Sequence, residues 1–157
     1  MKLTTKTRYA LRALIEMAQQ PPGKALSGSV IAKRQRVKPK YLEQILYRLR
    51  QARLIRGKKG PGGGFSLARD PREIRLRDVL EAVGETTAPV LCLLGKADSH
   101  CARAAACPMK ACWNELKQRV DSFFDNYTLA DIFSGASAAA LRKEKSWRKK
   151  ESRIMNQ

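Results

Sequence analysis

Four cysteines are the residues of this chain whose type could support metal chemistry. Cys92, Cys101, Cys107 and Cys112 are separated by eight, five and four residues, and no two form a Cys-x2-Cys pair. This spacing argues against a zinc ribbon and against a thioredoxin-type redox pair. Thiolates on a loop rich in small residues can still converge on one iron–sulfur cluster or zinc ion. The spacing alone leaves metal binding and plain packing as open interpretations.

A strongly periodic helix is predicted to follow the cysteines, beginning near Pro108. Its apolar face consists of Trp113, Leu116, Val120, Phe123, Phe124 and Tyr127. A helix of about 20 residues is ~30 Å long, and one with a one-sided aromatic stripe needs a partner. We therefore expect a homodimer formed through this helix. The alternative is that the stripe packs only on the first domain of its own chain.

Positive charge is concentrated in the first half of the chain, whose 157 residues carry a formal net charge of +18. Residues 1–80 contain 20 Lys and Arg against 5 Asp and Glu, residues 81–141 contain 5 against 7, and residues 142–157 contain 7 against 2. Such a field favours a polyanionic partner such as nucleic acid. No segment approaches the ~20 apolar residues that span a bilayer, and no signal peptide is recognisable. We expect a cytoplasmic protein without membrane contact.

The first half has the pattern of three short helices followed by a basic hairpin. Helical periodicity stops before Pro21, a second helix begins after Ser27 and is expected to bury Val30 and Ile31, and Pro39 fits the first turn of a third. Two short strands, around residues 54–55 and 65–67, flank a glycine-rich tip. A further helix ends near Gly84. The predicted fold is mainly α: a winged helix-turn-helix domain with a small β-hairpin wing plus a long dimerisation helix.

Base-reading side chains occupy the outer face of the third helix and the wing. The candidate contacts are Lys38, Lys40, Glu43, Gln44, Arg48 and Arg50 on the helix and Lys58, Lys59, Gly62 and Gly63 at the tip. We expect binding to a double-stranded DNA operator, whereas a cluster-free RNA-binding or ribosome-associated protein is the alternative from another class. Catalysis and a small-molecule substrate are not expected, because one His and scattered carboxylates form no recognisable nucleophile–base pair.

Five stretches of the sequence share one family pattern. They are residues 1–10, Tyr41-Leu42-Glu43-Gln44, the wing Gly60-Pro61-Gly62-Gly63-Gly64-Phe65, the first three cysteines, and Thr128-Leu129-Ala130-Asp131. Over about residues 1–135 the chain resembles the Rrf2 family of bacterial transcription regulators, which includes an iron–sulfur assembly regulator, a nitric-oxide-sensing repressor and a rhizobial iron regulator.

The resemblance implies roles for individual residues. Tyr41, Glu43 and Gln44 correspond to major-groove readers, and Lys59 corresponds to the minor-groove cation of the wing. The resemblance also implies that Cys92, Cys101 and Cys107 hold an iron–sulfur cluster, either 2Fe-2S or 4Fe-4S. The cluster would modulate DNA binding in response to iron, redox state or nitric oxide.

The fourth cluster ligand departs from the family pattern. Lys110 stands where the assembly regulator has a His, and Arg8 stands where the nitric-oxide sensor has an acidic residue. The local candidates are His100, the only histidine, for which we expect a solvated loop position instead, and Cys112, which we expect to pack beside Trp113 rather than to bind the metal. Water, a small thiol or a residue of the other subunit would also complete the site. A zinc site or a thiol-oxidation switch on the same fold is the nearest rival.

These patterns divide the chain into four parts with separate tasks. Residues 1–83 are assigned to the winged helix-turn-helix domain, 84–107 to the cysteine loop, and 108–140 to the dimerisation helix with a short following helix. Residues 141–157 form a basic tail, expected to be disordered and to add nonspecific attraction to phosphate or solubility. The whole is expected to be a sequence-specific transcriptional regulator that acts as a repressor.

Overall fold

The computed structural model describes residues 3–94, 101 and 106–134. Its elements are α1 (Thr5–Ala18), α2 (Gly28–Gln35), α3 (Pro39–Gln51), β1 (Ile55–Lys58), β2 (Gly64–Leu67), α4 (Leu76–Ala82), a 3-10 turn (Leu91–Leu93), α5 (Lys110–Asn126) and α6 (Leu129–Phe133). This mainly helical architecture with one hairpin confirms the predicted fold class. None of the described helices has the length and apolarity required to cross a membrane.

The first three helices enclose a continuous apolar core. Leu14 of α1, Ile31 of α2 and Leu49 of α3 are each fully buried. Apolar residues recurring every three or four positions place these side chains on inward faces, as the periodicity predicts. The expectation for Val30 is wrong, because Val30 is 38% exposed. Ile31 and Ala32 form the buried face of α2, and Val30 lies about 100° around the helix from Ile31, on the side away from Ala32.

Helices α2 and α3 end in the same type of C-terminal motif, with an arginine at the left-handed position. Arg36 has φ +53° and Arg53 has φ +56°. The amides of Val37 and Leu54 donate to the carbonyls of residues 32 and 49, both at 3.0 Å. This is the Schellman pattern, in which glycine usually occupies the left-handed position. A left-handed conformation costs a residue with a Cβ roughly 1–2 kcal/mol.

The wing is anchored to the helical core at its second strand. β1 and β2 pair antiparallel, with Lys58 opposite Gly64. Phe65 then exchanges backbone hydrogen bonds of 2.8 and 2.9 Å with Leu26, which precedes α2. A Cβ at Gly64 would lie 2.5 Å from the Leu26 carbonyl oxygen, so only glycine permits this approach. The hairpin is confirmed, and the bridge to Leu26 adds a contact that the sequence did not indicate.

Helix α5 begins at Lys110, two residues later than predicted, and its second half packs on the first domain. Phe124 is 6% exposed and packs with Leu76 and Leu80 of α4. Arg77 of α4 lies between two carboxylates of α5: its Nη2 donates to Asp125 at 2.8 Å and lies 3.2 Å from Asp121. The predicted terminus of α4 near Gly84 is confirmed, since α4 ends at Ala82.

Glu85 connects the start of the cysteine segment to the N-terminus of α1. Its carboxylate accepts from the Thr4 backbone amide at 3.1 Å and from the hydroxyls of Thr4 and Thr7. Burial opposes ionisation of Glu85, but the Thr4 and Thr7 hydrogen bonds outweigh it and lower the pKa of Glu85 below its ordinary value of 4.5. The ionised carboxylate is therefore the form that the fold stabilises.

We expect Glu85→Gln to lower the free energy of unfolding by about 1–2 kcal/mol at pH 7, because a charge-assisted set of hydrogen bonds is lost. Since the pKa of Glu85 is lowered by folding, its contribution is present above pH 4.5 and disappears as the pH falls through the folded-state value. Urea unfolding at pH 7 and at lower pH measures the difference between variant and wild type.

Glu81→Gln is the matched control for this prediction. The Glu81 side chain is 65% exposed and its nearest cation, Arg77, is 4.0 Å away. An exposed pair of this kind contributes about 0–1 kcal/mol. Equal effects of the two substitutions at pH 7 would contradict the role given to Glu85.

Candidate nucleic-acid interface and cysteine segment

Helix α3 presents an exposed polar face opposite its buried one. Its inward face is formed by Leu42, Ile45, Leu46 and Leu49. Lys40, Glu43 and Gln44, three of the predicted base contacts, are exposed on the outer side. Tyr47 shares this face at 56% exposure, with the Arg50 guanidinium 5.8 Å from its ring centroid. Tyr47 was missed in the sequence, although it lies three residues after Gln44 and seven after Lys40, on the same face.

Two other predicted contacts lie at the edges of this face and take part in packing. The Tyr41 ring is half-buried and meets the Tyr9 ring edge-on, with centroids 6.2 Å apart. Arg48 Nη1 donates to the Val83 carbonyl oxygen at 3.3 Å, beyond the end of α4. Tyr41 therefore presents only part of its ring, and one guanidinium nitrogen of Arg48 is already engaged within the domain.

The wing tip is a tight turn that exposes two lysines. Lys58 and Lys59 are exposed, and the Gly63 amide closes the turn by donating to the Gly60 carbonyl at 2.8 Å. A Cβ at Gly63 would lie 2.4 Å from the Lys58 carbonyl oxygen. Gly62 has φ +70°, which glycine adopts without strain. Both predicted tip glycines are therefore required by the turn that presents the lysines.

The candidate DNA-contacting lysines retain their charge without internal neutralisation. Within the described residues, Lys38, Lys40, Lys58 and Lys59 form no ion pair with an acidic side chain. Cations without counterions leave a positive surface on which DNA phosphates displace only mobile ions. The arrangement suits a polyanionic ligand.

The cysteines lie around the start of α5 as free thiols. Cys92 lies in the 3-10 turn, Cys107 precedes α5 by three residues, and Cys112 lies in its first turn. Cys92, Cys101 and Cys112 are exposed, and Cys107 is half-buried. The expected packing of Cys112 beside Trp113 is therefore wrong. Cys107 lies before Lys110, the first residue of α5. Helical geometry therefore does not determine where Cys112 lies relative to Cys107.

The donor set fits an iron–sulfur cluster in its chemistry, because three accessible thiols are the ligands that iron prefers. Their described positions do not gather them: no group of three or more His, Cys, Asp or Glu within the described part of the chain is arranged to hold a metal ion. His100 lies outside the described residues, as does the predicted tail 141–157. Arg8 lies over the Tyr9 ring at 5.7 Å, and Lys110 is the exposed first residue of α5.

Comparison with known proteins assigns this geometry to a family. Residues 3–135 match the model of the Rrf2 family, described as an iron-dependent transcriptional regulator. The chain belongs to the Rrf2 family. It is 36% identical over 132 residues to the HTH-type transcriptional regulator IscR of Photobacterium profundum, an alignment that covers 84% of this chain and 75% of that protein.

Two solved structures place the Rrf2 chain among winged-helix regulators. It superimposes on IscR of T. potens with a TM-score of 0.66 and 31% identity, covering 88% of this chain and 90% of that one. The TM-score is 0.65, with 29% identity, for an oxidized form of CymR from Staphylococcus aureus, covering 85% and 96% of the two chains. The protein is therefore a DNA-binding transcriptional regulator of the Rrf2 family, and the relatives named here are regulators rather than enzymes.

Proposed function

We propose that this Rrf2 regulator is a repressor that binds a double-stranded operator through the outer face of α3 and the wing. The observation that carries the proposal is the set of exposed lysines without ion-pair partners in the described chain, on elements fixed to a dense core. Glu43 and Gln44 reach base edges, because carboxylates accept from cytosine and amides pair with adenine. Lys58 and Lys59 contact the phosphates or the minor groove beside them.

A second copy of the chain covers the outer half of the α5 stripe. The predicted single stripe is divided in the structure: Phe124 packs on α4, whereas Leu116 is 40% and Phe123 is 44% exposed. Val120 is half-buried between these two groups. Two copies related by a twofold axis would pair these exposed residues and place two reading helices side by side.

Cys92, Cys101 and Cys107 would hold an iron–sulfur cluster, which supplies a redox-sensitive link among the three thiolates when bound. The family's description as iron-dependent supports this assignment. The fourth ligand stays open between His100, Cys112 and a group from outside the chain. Signals of iron supply, redox state or nitric oxide would act on this segment.

The start of the segment before Cys92 is bonded to two helices, which lets a change there reach the reading domain. Glu85 accepts hydrogen bonds from Thr4 and Thr7 of the α1 terminus. Thr87 donates to Asp121 of α5. Movement of the cysteine segment would therefore displace both α1 and α5. Such a displacement would change the orientation of α3 relative to a second subunit.

A thiol-oxidation or zinc switch is the second candidate. Cys92, Cys101 and Cys112 are exposed, so an oxidant reaches them directly. The similarity to a regulator solved in an oxidized form supports this reading. Metal and sulfide analysis separates the three possibilities, since only the cluster contains inorganic sulfide.

Lys59→Ala is expected to weaken binding to an operator selected by the wild type from a random duplex library. Loss of one phosphate contact flattens the slope of log K against log salt by about 0.9 per protomer, or about 1.8 for the dimer. Fluorescence anisotropy at several salt concentrations measures the slope. Arg72→Gln is the matched control, because it removes an equal charge at an exposed position in the segment between β2 and α4, apart from the α3, wing and α5 contacts. A slope changed equally by both substitutions would remove Lys59 from the interface.

Protein purified without oxygen is expected to contain iron and sulfide and to absorb visible light. Cys92→Ala, Cys101→Ala and Cys107→Ala should each abolish these signals while far-UV circular dichroism is retained. Cys112→Ala tests the fourth position, because loss of iron from this variant would assign the ligand to Cys112. Wild-type protein that neither contains iron nor absorbs visible light after reconstitution would contradict the cluster assignment.

Leu116→Glu is expected to convert a dimer into a monomer, because a charge would be buried in the proposed apolar contact. Sedimentation equilibrium should give about twice the chain mass of 17.6 kDa for the wild type and the chain mass for the variant. Gln118→Glu adds the same charge on the opposite side of α5 and should remain dimeric. A monomeric wild type, or a dimeric Leu116→Glu variant, contradicts the role of this face.

A further inference from the structure

Two arginines of the helix-turn-helix unit occupy backbone positions that favour glycine. Arg36 follows α2 and Arg53 follows α3, each in the left-handed conformation that closes a Schellman motif. Glycine enters this conformation without steric cost, and asparagine does so more readily than other residues. A long charged side chain at both positions therefore opposes the local backbone preference. Such a conflict indicates that the two arginines serve binding rather than folding.

Packing and hydrogen bonding do not account for the two arginines. Both are exposed, and within the described part of the chain neither guanidinium has a hydrogen-bond or ion-pair partner. By contrast, Arg34 lies 3.5 Å from Glu16. The other arginines near these helix ends thus have structural partners that Arg36 and Arg53 lack.

The helix dipoles do not account for them either. The last turn of α2 already contains Lys33 and Arg34. At the end of α3, Arg69 Nη2 donates to the Ala52 carbonyl at 3.2 Å. Cations near a helix C-terminus are favourable, but other basic side chains already lie at both C-termini, so Arg36 and Arg53 are not needed there.

We propose that Arg36 and Arg53 are phosphate-binding residues that grip the DNA backbone at the two ends of α3. Arg36 lies two residues before Lys38, at the start of the reading helix, and Arg53 lies between α3 and the wing strand β1. A helix of 13 residues is about 20 Å long, whereas the major groove is about 12 Å wide. A helix of this length lying across the groove brings both of its ends to the phosphates that border it.

Arginine is the side chain suited to this task. Its guanidinium donates two parallel hydrogen bonds to a phosphate, and its length carries the charge beyond the turn that holds its backbone. The inference rests on the proposed function, because it takes α3 and the wing as the DNA-contacting elements. It adds two contacts that set affinity and register rather than sequence choice.

Arg36→Gly and Arg53→Gly test the proposal by separating folding from binding. Glycine relieves the left-handed strain, so the Tm should stay equal or rise. DNA binding should weaken by roughly eightfold per protomer at 0.1 M salt, and for each substitution the slope of log K against log salt should flatten by about 0.9 per protomer, or about 1.8 for the dimer. The probe is a duplex of about 30 base pairs carrying the sequence selected by the wild type.

Arg36→Asn provides a second variant that also accepts a left-handed backbone, so the test does not depend on glycine alone. It should reproduce the loss of affinity seen with Arg36→Gly. Arg72→Gln, which removes one charge from the segment between β2 and α4, should leave the slope unchanged. Unchanged slopes in the Arg36 and Arg53 variants, or an equal flattening in Arg72→Gln, would overturn the proposal.

Lys59→Ala in the same series separates this inference from the proposed function. If Lys59→Ala flattens the slope while the arginine variants do not, the phosphate grip is wrong and the wing interface stands. If no variant of the α3 and wing surfaces changes the slope, the proposed interface and the inference fail together.

Discussion

The arrangement of the whole molecule depends on Arg77, which holds α5 against α4. Hydrogen bonding to Asp125 is the main cause that raises the pKa of Arg77 further above its ordinary value, with Asp121 adding to it. The same hydrogen bond is the main cause that lowers the pKa of Asp125. Both groups therefore remain charged, and Phe124 excludes water from the adjoining apolar contact. This fixes the second half of α5 while its first half extends beyond the domain, next to Cys107 and Cys112.

The use of acidic residues explains how so basic a chain keeps a positive surface available. Burial opposes ionisation of Asp121, but hydrogen bonds from Lys117 and Thr87 and the charge of Arg77 lower its pKa. Asp78 accepts from the Arg75 amide and caps α4. Carboxylates such as these are used by local structure near α4 and α5. The lysines of the α3 and wing surfaces keep no such partner in the described chain, so their charge is left for phosphate.

Local patterns in the sequence predict the helices and the hairpin well, because periodicity and punctuation are local. Ser27 and Pro39 mark the starts of α2 and α3, as capping and proline geometry require. The conformation of Arg36 was not predictable, because a left-handed residue is normally indicated by glycine. The contact of Arg77 with Asp125 spans 48 residues, and no spacing rule connects positions so far apart.

The candidate site was predictable to the extent that it follows from one helix or one turn. Exposed Lys40 and Gln44 follow from the period of α3, and the same period would have found Tyr47. The half-burial of Tyr41 depends on Tyr9 of another helix, and the division of the α5 stripe depends on where Arg77 holds that helix. The resemblance to a family supplied the roles of the cysteines, which no helix period or turn in the sequence could assign.

Two hydrogen bonds at the start of the cysteine segment are comparable in free energy to a typical coupling between two sites. A hydrogen bond to a charged group contributes about 1.5–3 kcal/mol, and coupling between two sites in a protein is typically about 1–3 kcal/mol. Glu85 and Thr87 each make such a bond, one to α1 and one to α5. The free energy lost with either bond is therefore comparable to such a coupling. The Glu85 carboxylate holds the first turn of α1, and the Tyr9 ring of α1 packs on Tyr41 in the first turn of α3, so two contacts connect Glu85 to the start of α3.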